Sequence, residues 1–228
     1  MNVVGRHFDV DSTIFDQVYR FLHEAEKHPE WKAKLTRAIS ETRGEVLLDD
    51  RRRILKAFYS ADCGCRTEDP KFVWGKMDAF ESVKDPSCKT RKPVSWSLNL
   101  ERSEVRARLI AELNLPPGST LRTIQVAGRT PSGRVAQLTV AMDVEGKTRN
   151  VSLSSQEFRR IFGFQKIRSA EFSLRWLADE LQIAGTGFGH GVGMCQSGAK
   201  VLAAEGKDYR EILKLYYPKA NLWTMKRT

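Results

Sequence analysis

The stretch "GTGFGHGVGMCQSGAK", residues 185–200, carries six glycines, one histidine and one cysteine just ahead of a helix-like run. From Gly187 to Gly193 every second residue is glycine. Glycine is used where φ is positive, or where a backbone or ligand must come close. A strand with glycine along one face packs no core there, so the alternation predicts an open groove floor with His190 projecting into it. Cys195 and Gln196 fall in the first turn of a helix predicted from about Met194 to Glu205. Exposed N–H groups there favour negative charge and lower a thiol's pKa. The stretch is not a phosphate loop, because it lacks the G-x-x-x-x-G-K-[ST] spacing. The plain alternatives are close packing for the glycines and an inert buried thiol for Cys195.

Downstream, Asp208 and Glu211 form a capping box for "YREILKLYY", which stops at Pro218. Upstream, "SSQEFRRIFG" is a short helix with the box Ser154 and Glu157 and a stop at Gly163. Before it, "LRTIQVAGRT", "RVAQLTVAMDV" and "KTRNVSL" alternate apolar and polar residues, with turns at Pro131-Ser132-Gly133 and Glu145-Gly146. That pattern predicts a three-stranded antiparallel meander. "ERSEVRARLIAEL", from Glu101, reads as a helix. So does "HPEWKAKLTRAISETRG", with Trp31, Leu35 and Ile39 four apart. "EVLLDDRRRILKAFYSA" reads as two strands joined by a charged turn at Asp49–Arg52. "DCGCRTEDP" is loop, and Phe72, Trp74 and Phe80 look like aromatic anchors of an irregular stretch. The expected fold is mixed α/β (α+β). Residues 1–93 and 169–228 would form a discontinuous main module, with residues 94–168 an inserted α+β subdomain of helix and strands.

The chain has 228 residues, enough for one large domain or two small ones. No apolar run approaches the roughly 20 residues of a membrane span. The opening "MNVVGRHFDVDS" lacks a signal-peptide layout, which suggests an internal protein or a chain whose leader is gone. A net charge of +10 points to an anionic partner: nucleic acid, membrane surface or acidic wall polymer. From Lys147 to Arg175 seven basic residues face two acids, Glu157 and Glu171. No helix-turn-helix, zinc-finger or RNP-like pattern accompanies them, so no nucleic-acid partner is expected. Four cysteines, Cys63, Cys65, Cys88 and Cys195, allow disulfides, a metal site or inert thiols. A zinc on Cys63, Cys65, Cys88 and His190 is conceivable by ligand type. A disulfide from Cys63 or Cys65 to Cys88 is the favoured reading in an oxidising compartment, and no metal or cofactor is expected.

Three blocks resemble the SpoIID/LytB family, the stage II sporulation protein D and amidase-enhancer proteins. "GFGHGVGMCQSGAKVLAAEGKDYREILKLYYP" is similar to its G-H-G-V-G-(hydrophobic)-x-Q-x-G-A signature and the helix and G-x-x-Y-x-x-I-L-x-x-Y-Y-P that follow. "ISETRGEVLLDDRRRILKAFYSADCGCRTEDPKFVWG" resembles its T-x-G-x-V-L, S-x-x-G-G-x-T-E and V-W-G motifs. "LSSQEFRRIFGFQKIRSAEF" resembles the segment ahead of the signature. The order is preserved from about Phe8 onward. The resemblance implies a bacterial cell-envelope role, periplasmic or secreted, with peptidoglycan glycan strands as partner and a cell-wall amidase as a further one. The implied activity is glycan-strand cleavage, as a lytic transglycosylase or a lysozyme-like muramidase. By matching position Tyr59, Ser60, Thr67, Cys195, Gln196 and His190 should line the groove. Tyr59 would stack on a sugar, Ser60, Thr67 and Gln196 would hydrogen-bond it, and His190 would orient an acid or carry a proton.

The family's upstream segment, with its proposed catalytic Glu before Met, has no match here. Where some members build a zinc site from His and Cys, this chain has Asp9, Asp11 and Asp16. The chain is then a fragment, starts further upstream, or binds without cutting. Glycosidases need a carboxylic acid to protonate the leaving oxygen. Glu68 is the in-chain candidate, against the plain reading of a solvated loop acid. Cys65 replaces a family glycine, which opens a pairing with Cys88 or an approach of Cys63 to Cys195. Two rival functions remain: a non-catalytic wall-binding or amidase-enhancing module, and a cysteine hydrolase of stem peptides with Cys195 as nucleophile and His190 as base.

Overall fold

A computed structural model describes residues 28–75, 77 and 80–225. Asp9, Asp11, Asp16 and the N-terminal leader reading lie outside these residues. By internal packing the chain divides into two units, residues 1–45 with 224–228 and residues 46–223. In the first, α1 (Pro29–Glu41) begins with a proline, whose missing N–H costs nothing at a helix start. It buries no residue: Trp31, Leu35 and Ile39 are 42%, 51% and 68% exposed.

The second unit is a mixed α+β fold. The predicted meander is present as β4 (Thr120–Arg129), β5 (Val135–Val144) and β6 (Lys147–Ser154), in that order. Its register pairs Ile124 with Val140 and Val140 with Val151, so apolar residues share a face. Against it pack α2 (Arg102–Leu113) and α3 (Ser155–Phe162). Both halves of the Ser154–Glu157 capping box form. A second sheet, in the order β3 (Ser95–Glu101), β8 (Glu180–Thr186), β7 (Phe172–Leu177), is absent from the sequence-based expectation. Both sheets feed one core: Leu100, Leu109, Ile124, Leu138, Phe158 and Ile183 are at most 2% exposed. Each such side chain contributes roughly 1.5–3 kcal/mol by its burial.

A smaller core surrounds the functional stretch. The predicted hairpin after Gly44 is short. β1 (Glu45–Leu48) folds back on Ile54–Leu55, while β2 is only Tyr59–Ser60. β2 runs parallel to β9 (Met194–Cys195), which leads into α4 (Gln196–Ala204). The Asp208–Glu211 box starts α5 (Tyr209–Tyr216), and β10 (Asn221–Thr224) pairs with β1. Phe80, Val192, Leu202, Ile212, Tyr216 and Tyr217 form this core.

Candidate functional site

Residues 58–69 and 187–197 are bound to each other along their length. Met194 N–H donates to the Phe58 carbonyl (3.1 Å), and Ser197 N–H to that of Ala61 (3.0 Å). Asp62 and Phe188 exchange both backbone bonds (3.0 and 2.8 Å), and Glu68 N–H donates to Gly191 (2.8 Å). The two sequence blocks singled out for chemistry thus form one structure.

The glycines have a different task from the one the alternation suggests. Gly187, Gly189, Gly191 and Gly193 do not lie in an extended strand. All four have positive φ, from 71° to 107°. Nor do they floor an open groove. A Cβ on Gly193 would stand 1.9 Å from the Phe58 carbonyl oxygen, and one on Gly191 2.6 Å from Arg134 Nη2. The repeat lets a left-handed loop lie directly on the 58–64 backbone.

His190 is half-buried and held by the backbone at Nδ1, which accepts from Val192 N–H (3.0 Å). Burial, then the cations of Arg159 and Arg134, lower its pKa to about 4. The ring is therefore neutral at neutral pH, with its proton on Nε2. Trp74 lies 4.8 Å from it and stacks on Phe58 at 4.5 Å. This Trp74 remains 47% exposed and Phe72 37%. Trp74 thus presents an open aromatic face beside His190. Sequence reasoning took both rings for anchors, although apolar rings in a loop are the signal for such a face.

Glu68 is 2% exposed, not a solvated loop acid. Its Oε2 accepts from the hydroxyls of Thr130 and Ser132, both at 2.7 Å, and Oε1 from Asp69 N–H (2.8 Å). The predicted turn at Pro131-Ser132-Gly133 thus docks into the site. Its neighbour Arg134, 2% exposed, donates to the carbonyls of Cys63 (2.6 Å) and Arg66 (2.8 Å). Thr67 is fully buried, and its hydroxyl oxygen accepts from Val83 N–H (2.8 Å), so it serves the loop rather than a ligand. Ser60 is 5% exposed and its hydroxyl has no partner. Tyr59 is half-buried, while Gln196, first in α4, is exposed. Glu171 escaped the sequence search. Burial raises its carboxyl above the ordinary range, and Oε2 abuts Gly64 without a hydrogen-bond partner.

The cysteines separate into two pairs. Cys65 and Cys88 form a disulfide, which removes the zinc set of Cys63, Cys65, Cys88 and His190. Cys63 and Cys195 are free, and both are 0% exposed. Cys195 caps α4, its sulfur accepting from the N–H groups of Gly198 (3.3 Å) and Cys63 (3.2 Å). The hydrogen bond from Cys63 lowers the Cys195 pKa. The same contact, with burial, raises that of Cys63. A sealed Cys195, and a His190 committed at Nδ1 to a backbone partner, cannot form the nucleophile–base pair of a stem-peptide hydrolase. Arg91 closes the cluster, donating to Asp62 (2.7 Å) and Asp85 (3.3 Å). A groove between β4 and β7, lined by Arg129, Arg175 and Trp176 among others, shares none of these residues.

The fold is mixed α+β, with a left-handed glycine loop laid on the segment that runs from β2 to the disulfide-bonded Cys65. Residues 76–193 match a family described as "Domain of unknown function (DUF8618)". Stage II sporulation protein D of Bacillus subtilis (strain 168) is 31% identical over 216 residues, 91% of this chain and 58% of that protein. An uncharacterized protein of Brachyspira hyodysenteriae is 30% identical over 92% of this chain and 52% of its own. The amidase enhancer of Bacillus subtilis (strain 168) is 27% identical over 84% of this chain and 33% of its own. The chain belongs to the DUF8618 domain family, and these relatives place it among SpoIID/LytB-like proteins. It spans about half the length of the curated relatives it matches first. No helix among the described residues is long and apolar enough to cross a membrane.

Proposed function

We propose that this protein acts on the bacterial cell wall, binding peptidoglycan glycan strands across the Trp74 face and taking part in their cleavage. The observation that carries the reading is Trp74, 47% exposed although stacked on Phe58 and set against His190. A ring held rigid from behind and open in front is suited to the C–H face of a pyranose. Exposed Gln196, whose amide both donates and accepts, suits sugar hydroxyls and N-acetyl groups. The charge of +10 favours a polymer bearing peptide carboxylates. The Cys65–Cys88 disulfide supports an oxidising, extracytoplasmic location. The names of the relatives, stage II sporulation protein D and amidase enhancer, support the same setting.

Cleavage requires an acid to protonate the leaving oxygen. Glu68 accepts three hydrogen bonds and faces the Thr130–Arg134 hairpin, so its part is to position the loop. Glu171, whose carboxyl pKa burial raises, is the in-chain donor in the cleaving reading. In the division proposed for the chain, the 94–168 insert contributes the hairpin and the rest contributes the aromatic face. The saturation of Glu68 also favours a second reading, an amidase-enhancing module that binds the wall without cutting it.

Purified chain mixed with sacculi tests the proposal. It predicts co-sedimentation that Trp74→Ala weakens. Soluble fragments with 1,6-anhydro ends would mark a lytic transglycosylase, and new reducing ends a muramidase. Binding without fragments selects the second reading. Sacculus binding that Trp74→Ala leaves intact removes the aromatic face from the reading.

A further inference from the structure

We propose that Cys63, Asp85 and Cys195 form a buried site for a thiophilic divalent metal, zinc by class. The three residues come from separate segments: the loop after β2, the cap of the short helical turn Pro86–Lys89, and the cap of α4. Their exposures are 0%, 2% and 0%. The two sulfurs and a carboxylate oxygen all lie within 4.8 Å of one another, with Cys63 Sγ 3.2 Å from Asp85 Oδ2. Tetrahedral zinc with sulfur at about 2.3 Å and oxygen at about 2.1 Å sets its donors roughly 3.4–3.8 Å apart. The donors therefore need to move by only a fraction of their present spacing.

A fourth donor is at hand. Tyr216 is 1% exposed, and its hydroxyl makes no well-directed hydrogen bond. A Cβ on Gly198 would lie 2.2 Å from that hydroxyl and 2.3 Å from Asp85 Oδ2, so both oxygens meet over the bare Gly198. Asp62 and Asp85 share one guanidinium, that of Arg91, at the edge of the cluster. On binding, Cys63 and Cys195 release their protons to solvent as two sulfur–metal bonds form. Arg91 Nη2, 3.3 Å from Asp85 Oδ2 and 3.4 Å from Cys195 Sγ, would act as an outer partner that orients the ligands. Two thiolates and one carboxylate select zinc or cobalt over magnesium and calcium. The inference is independent of any reading of the glycan face.

Cobalt titration of the oxygen-free, metal-stripped full chain is the test. One equivalent of Co²⁺ should give tetrahedral d–d bands and sulfur-to-cobalt charge transfer, and Zn²⁺ should erase both. Cys63→Ser and Cys195→Ser should each cut the charge transfer by about half or more and weaken binding at least tenfold. Thermal melting of the unaltered chain gives a second measurement, since a ligand of the folded state raises the midpoint with its concentration. Zn²⁺ should raise it and a chelator should reverse the rise. A folded chain that takes up no cobalt and melts independently of zinc overturns the proposal. So do charge transfer left undiminished by Cys63→Ser, and peptide mapping that finds Cys63 joined to Cys195.

Discussion

Removing the Glu68 carboxylate separates a positioning role from an acid's role. In Glu68→Ala the hydroxyls of Thr130 and Ser132 and the N–H of Asp69 lose their acceptor in a site with almost no access to water. A hydrogen bond to a charged group is worth about 1.5–3 kcal/mol, and an orphaned buried polar group costs about 1–3 kcal/mol. Part of the loss is recovered because Thr130 and Ser132 stand 2.9 Å apart and can bond each other. The net expectation is about 4 kcal/mol, or a fall in midpoint of roughly 8–16 °C for a chain of this size. Glu68→Gln keeps an oxygen for Asp69 N–H and offers an amide that donates to the two hydroxyls. Its expected cost is about 1 kcal/mol. Urea unfolding of both variants, followed by tryptophan fluorescence, measures this, with sacculus digestion alongside. A folded, stable Glu68→Gln that loses fragment release by about a hundredfold or more would refute the argument and make Glu68 the acid.

Gly193→Ala should destabilise by more than about 3 kcal/mol, since its Cβ would lie 1.9 Å from a carbonyl oxygen. Gly133→Ala, also at positive φ but with no atom within 4 Å, should cost about 1 kcal/mol. Equal losses in urea melts would show that backbone conformation alone explains the glycines. Stability should fall by roughly 2 kcal/mol as pH drops from about 6.5 to about 4, because the unfolded chain protonates His190 in that window and the folded one does not. A chain carrying His190→Gln should lack that part of the slope. Trp74→Ala should cost about 1–2 kcal/mol from the lost stack on Phe58, leaving the chain folded, and weaken sacculus binding about tenfold in a sedimentation assay.

Features fixed by neighbouring residues were legible in the sequence. The capping boxes at Ser154–Glu157 and Asp208–Glu211 bind within one turn, and the alternation of β4 and β5 shows in the residues themselves. Partners far along the chain were not. Trp96, Leu98 and Leu100 alternate, yet what makes Ser95–Glu101 a strand is Leu98 opposite Ile183. β2 and β9 are two residues each, too short to carry a period. The alternate glycines marked the loop but not its geometry, because a period of two fits both a bare strand face and a run of positive φ. Glu68 reads as solvated because nothing in "CGCRTED" shows that a hairpin more than sixty residues away covers it.

The same loop explains why so much polar machinery lies beneath it. Residues 187–193 offer three side chains, Phe188, His190 and Val192, between four glycines. Fixing a backbone residue costs about 1–2 kcal/mol, and glycine loses more freedom than any other residue. Apolar burial from three side chains cannot hold such a segment alone. Hydrogen bonds supply the rest: Glu68 N–H to Gly191, the Asp62–Phe188 pair, His190 Nδ1 with Val192 N–H, and Arg134 packed against Gly191. Arg134 and the two hydroxyls that donate to Glu68 belong to the Thr130–Arg134 hairpin, so the seating of the His190 loop depends on residues far from it in the chain. The Thr130–Arg134 hairpin is thereby part of the loop's construction. The loop behind Trp74 is held by this polar hairpin together with the small core that takes in Val192 and Phe58.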